Sequence, residues 1–122
     1  MLVDDDPRIR AFAAEALRDM GLEVVEASDG AEAVALFAST SPDLILMDFA
    51  MPKLNGAEAA RRIRLLRPGA PIIFMTGYAD AEKLGGAMGG GVAALRKPFR
   101  IQELAREVTR ALAAERLKNH GA

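Results

Sequence analysis

Short apolar runs alternate along this chain with longer segments whose apolar residues recur every three or four positions. The short runs suit strands buried on both faces and the longer segments suit amphipathic helices, so the pattern predicts a parallel sheet covered by helices. Leu2-Val3 opens the first of five strand-then-helix units. Asp6 is placed to cap the first helix, with Pro7 at its first turn and Gly21 as its stop. Ile9, Phe12, Ala13, Ala16, Leu17 and Met20 then share one face. The pattern continues with a strand over 22–26, a helix over 30–38, a turn over 39–42 and a strand ending at Asp48. A third helix over 57–66 is broken by Pro68-Gly69, and strands follow over 71–76 and 92–96. The last helix starts near Arg100 and offers Ile101, Leu104, Ala105, Val108 and Leu112 as its buried stripe.

One stretch resists this rhythm. Gly85, Gly86, Gly89, Gly90 and Gly91 fall where the fourth helix is due, and each interior glycine costs a helix about 1 kcal/mol relative to alanine. A short or mobile helix is expected there. The polar tail from Arg116 to Ala122 is expected to fray, so residues 1–122 read as one domain.

Composition narrows the partners. Sixteen basic and seventeen acidic residues among 122 leave a formal charge of -1, which provides no basic field for nucleic acid or an anionic membrane. No apolar stretch approaches the roughly 20 residues of a membrane helix, and no signal-peptide pattern opens the chain. Cysteine is absent, which removes disulfides and thiolate metal sites and suits a cytoplasmic location.

The chemistry gathers at strand ends. In a parallel α/β sheet ligands bind beyond the carboxyl ends of the strands, where the strand order reverses. The first strand ends in Asp4, Asp5 and Asp6, the third in Asp48, the fourth in Thr76, and Lys97 follows the fifth. Carboxylates packed together repel unless protons or a cation offset them, and a hard divalent ion such as Mg²⁺ is the natural partner for such oxygens. Each residue also has a plainer explanation. The aspartate run alone reads equally as a solvated loop with a helix cap, Thr76 alone as a strand residue, Lys97 alone as a surface charge, and Pro52 and Gly56 as turn formers.

In combination, Val3-Asp4-Asp5-Asp6-Pro7, the segment from Asp43 to Pro52, Phe74-Met75-Thr76-Gly77 and Lys97-Pro98-Phe99 resemble the receiver domain of two-component response regulators, in that family's order and spacing. The resemblance covers almost the whole chain. It implies a flavodoxin-like α/β fold, (βα)5, with a parallel sheet of order 2-1-3-4-5. It also implies Asp48 as phosphoacceptor, Asp5 as a direct Mg²⁺ ligand, Asp4 acting mainly through metal-bound water, and the Ala50 carbonyl as a further ligand. Thr76 and Lys97 would contact the phosphoryl group, and the Lys97-Pro98 bond would be cis. The implied partners are a histidine kinase or histidine phosphotransfer protein, docked on the first helix near Ile9, Arg10 and Ala13, and a downstream protein target. The only enzymatic activity implied is the domain's own phosphotransfer and autodephosphorylation, with Ala50 and Tyr78 flanking the path of attacking water.

Two departures qualify the resemblance. Ala94 stands where the family commonly carries an aromatic switch residue, so an order–disorder change in the glycine-rich helix is expected to report phosphorylation instead. The first strand is a residue or so short, and a start inside a longer chain is expected; no DNA-reading module follows the last helix. Two other classes remain: a receiver-like interaction module that is never phosphorylated, and a Mg²⁺-dependent aspartyl phosphohydrolase. The first should lack one of the acids, the threonine or the lysine, and the second should carry a cap and a second acid two residues after its nucleophile.

Overall fold

Strand β1 (Leu2–Val3) is flanked by β2 (Glu26–Ala27) on one side and β3 (Ile45–Asp48) on the other, and β4 (Ile72–Thr76) and β5 (Ala94–Arg96) complete a parallel sheet of order β2-β1-β3-β4-β5. The computed structural model describes residues 1–51, 54–77 and 93–120. Helices α1 (Pro7–Asp19), α2 (Gly30–Thr40), α3 (Gly56–Leu66) and α4 (Ile101–His120) are the helices among them. The expected glycine-rich helix, Tyr78 and Pro52 lie outside the described residues.

Period-two alternation along the strands builds two apolar layers. Val3, Ile45, Met47, Ile72 and Phe74 pack with Phe37 of α2 and Ile63 of α3, whereas Leu2, Leu46, Ile73 and Met75 pack with Leu17 of α1 and with Leu104 and Val108 of α4. Burying a side chain such as Leu104 contributes about 2 kcal/mol. The flavodoxin-like α/β architecture expected from the resemblance is therefore the observed one.

Local caps follow the sequence. The Asp6 carboxylate accepts from the Arg8 N–H at 2.9 Å, Asp29 from Glu32 at 2.8 Å and Asn55 from Glu58 at 2.9 Å. Gly21, at φ 86°, takes the left-handed position after the α1 cap.

Several boundaries differ from expectation. β2 is Glu26–Ala27 rather than a strand over 22–26, because β1 supplies only two rungs, Leu2 to Glu26 and Val3 to Ala27. α2 runs on to Thr40, where the hydroxyls of Ser39 and Thr40 bond back to the Leu36 carbonyl. Phe12 is 44% exposed despite its place on the apolar face of α1, and its ring meets Phe99 with centroids 6.2 Å apart. Ile101, at the first turn of α4, is likewise exposed.

Candidate functional site

The strand order reverses around β1, with β2 and β3 on either side, and the crevice beyond their carboxyl ends collects the predicted residues. Asp4 leaves the sheet directly after β1, Asp48 ends β3 and Thr76 ends β4. Asp4, Asp48 and Thr76 are 0%, 5% and 2% exposed, whereas Asp5 faces solvent. Such burial of polar groups is tolerated only where partners compensate it.

Those partners are present. Lys97 Nζ lies 2.9 Å from Asp4 Oδ2 and 3.2 Å from Asp48 Oδ1, and thus bridges the two buried acids. Its backbone N–H donates to the Thr76 carbonyl at 2.8 Å, which ties the turn after β5 to the end of β4. The Lys97-Pro98 peptide is cis. Asp4 Oδ1 accepts the Asp6 N–H at 2.9 Å. Asp4 Oδ2 is compensated by the Lys97 ammonium and meets no further hydrogen-bond donor among the described residues.

Asp4, Asp5 and Asp48 each bring a carboxylate oxygen within 4.8 Å of the others. Crowding leaves its mark on Asp48, whose carboxyl is pushed up to about 7, first by burial and then by the Asp4 charge, against the opposing pull of Lys97. Burial draws the Lys97 ammonium down, but its contacts with Asp4 and Asp48 outweigh this and hold it above its ordinary value. A donor set of three close carboxylates, all oxygen ligands, fits a hard divalent cation. Ala50, two residues beyond Asp48, is exposed in the loop that follows β3.

The loop's geometry explains one glycine. A Cβ at Gly56 would stand 2.5 Å from the Asp48 carbonyl oxygen and 2.8 Å from Phe49 Cα, so only glycine lets the start of α3 close over the end of β3. Gly56 also donates its N–H to the Phe49 carbonyl at 2.8 Å.

One expected surface contact is corrected. Ala13 is buried in the layer between α1, the sheet and α4 and has no free face for a partner. Arg10 turns toward the site, and its Nη1 donates to the Asp4 carbonyl at 2.8 Å. Ile9 remains at the surface, where with Phe12, Lys97, Pro98 and Phe99 it lines a shallow pocket of about 320 Å³ beside the acids.

The fold and site define a doubly wound α/β domain with an acidic, lysine-bridged crevice at the carboxyl edge of its sheet. Comparison with known proteins gives the same class. The model of the response regulator receiver domain matches residues 1–109. The chain is 35% identical over 119 residues to the regulatory protein AtoC of Escherichia coli, covering 97% of this chain and 26% of that protein. It is 41% identical over 106 residues to the transcriptional regulatory protein PdtaR of Mycobacterium tuberculosis, covering 85% and 51% respectively. Among solved structures, the receiver domain of NtrX from Brucella abortus superposes with a TM-score of 0.85 at 29% identity, over 92% of this chain and 96% of that one. The chemotaxis protein CheY4 of Vibrio cholerae superposes with a TM-score of 0.81 at 33% identity, over 90% and 94%. The chain belongs to the response regulator receiver domain family of two-component systems. It spans about half or less of the length of these two curated relatives.

Proposed function

We propose that residues 1–122 act as one receiver domain that accepts a phosphoryl group on Asp48 from a histidine kinase or histidine phosphotransfer protein in the cytoplasm. The observation that carries this reading is the Lys97 ammonium held within 2.9 Å of Asp4 and 3.2 Å of Asp48 at the mouth of the acidic crevice. An Asp48 oxygen attacks the phosphorus of a phosphohistidine, the P–N bond breaks, the imidazole leaves and an acyl phosphate forms. Asp48 must be ionised to attack, and Lys97 favours that form. Asp5 and Asp48 would hold Mg²⁺ directly with the Ala50 carbonyl, and Asp4 would act mainly through metal-bound water. The ion supplies charge neutralisation for the transferred group. Lys97 then shifts from the carboxylates toward the new phosphoryl oxygens, and the Thr76 hydroxyl donates to them. Hydrolysis at phosphorus by water returns Asp48 and releases inorganic phosphate, so the domain resets itself.

The docking face lies at the same edge. Ile9, Phe12 and Phe99 present apolar surface immediately beside Lys97, where an incoming histidine-bearing helix could be seated with its phosphoryl group over Asp48. Output passes from this domain to a downstream protein.

Beryllium fluoride, which mimics a phosphoryl group on a carboxylate, tests the assignment. With Mg²⁺ present, amide resonances of Asp48, Thr76 and Lys97 should move together and saturate at one equivalent per chain, and Asp48→Ala should abolish the response. Saturable shifts that survive that substitution would place the acceptor elsewhere.

A further inference from the structure

We infer that Arg10 is a positioning residue for the divalent-cation site, acting through the Asp4 backbone under the control of Glu26. The inference rests on the cation reading above, and a backbone contact made by a helix side chain carries it. Arg10 Nη1 donates to the Asp4 carbonyl at 2.8 Å. Its Nε faces Glu26 Oε1 at 3.4 Å, and the other oxygen of Glu26 is held by Arg18 at 3.2 Å. The guanidinium therefore spans two elements, the turn after β1 and the strand β2 that pairs with β1.

The turn it grips is the one that presents the acids. Asp4 donates its N–H to the Ala27 carbonyl at 3.2 Å, spends Oδ1 on the Asp6 N–H at 2.9 Å, and Asp6 in turn caps α1. With the Asp4 carbonyl held from the helix side, the peptide planes on both sides of Asp4 are restrained, and the exposed Asp5 carboxylate projects from that restrained segment. A metal ligand held this way binds more tightly because less freedom is lost on coordination, and outer partners of ligands are typically worth about 10-fold to 100-fold in affinity. A lysine at this position would keep the charge but could not reach both the carbonyl and Glu26 with a planar fork.

Titration of the full chain with Mg²⁺, followed by amide chemical shifts and paired with urea denaturation in chelator, tests this. Arg10→Met should weaken Mg²⁺ binding by about 10-fold, Arg10→Lys should recover part of the loss, and Glu26→Gln should weaken binding by roughly threefold with Arg10 intact. If Arg10→Met does not fold, the lysine variant carries the test, because it keeps the charge and removes only the planar fork. Variants that bind Mg²⁺ as the wild type does, whatever their urea midpoints, would overturn the positioning role while leaving the cation site standing. A wild type with no saturable Mg²⁺ binding would overturn both.

Discussion

Asp48 shows how costly a single buried carboxylate can be to fold. Its carboxyl ordinarily titrates at 3.8 and is pushed up to about 7 by burial and by Asp4. A raised carboxyl favours the folded state only while protonated: the contribution is fully present below 3.8, is lost progressively as the pH rises, and is gone above about 7. Without metal, Asp48→Asn should therefore be more stable than wild type at pH 8 by about 2 kcal/mol, a figure discounted from the full shift because Asp4 and Lys97 share the titration. The gap should shrink as the pH falls toward 4. Urea denaturation in chelator at several pH values measures it, and a constant difference across that range would contradict the cause given. At this scale much of the site was legible in the sequence, because Asp4, Asp48, Thr76 and Lys97 all stand at strand ends and a parallel sheet brings such ends together. Arg10 was not legible as part of the site. Its partner is a backbone carbonyl six residues away, and that contact exists only once the chain has turned from β1 into α1.

Elements were predictable where local signals decide them and less so where partners do. The start of α1 follows from the side chain of Asp6 and the ring of Pro7, and it falls where those residues place it. The extent of β2 depends on how much of β1 is available for pairing, which residues 22–26 do not encode. Ala13 was expected on the apolar face of α1 and, from the resemblance, at a docking surface; its packing beneath α4 settles it in the core. Gly56 is a related case. Its sequence context supports a turn, but the reason for glycine is the 2.5 Å approach of its missing Cβ to the Asp48 carbonyl oxygen. Gly56→Ala should destabilise the domain by about 2 kcal/mol and shift the amide resonances of Asp48 and Phe49. An unchanged urea midpoint would show that α3 can back away freely.

At the scale of the whole molecule, the two faces of the sheet are covered, among the described residues, by different helices, and the site sits where elements from both meet. α2 and α3 cover one apolar layer, α1 and α4 the other. At the opposite edge Arg67, at the end of α3, donates to the Pro42 carbonyl at 2.9 Å and pairs with Glu115 of α4 at 2.9 Å, which ties the two layers together far from the acids. The strands hold Asp48 and Thr76 in buried positions, while Asp5, Lys97 and the apolar rim of Ile9, Phe12 and Phe99 are set by loops and helix starts. This division suits a switch whose acceptor must stay fixed while its surroundings respond to added charge. The central claim is that Asp48 is the group modified. The mass of the intact protein after treatment with acetyl phosphate, with and without Mg²⁺, tests that claim most directly. Wild type should gain about 80 daltons, one phosphoryl group, only when Mg²⁺ is present, and Asp48→Ala should gain nothing. An equal gain in the variant, or none in a wild type shown to bind Mg²⁺, would contradict it.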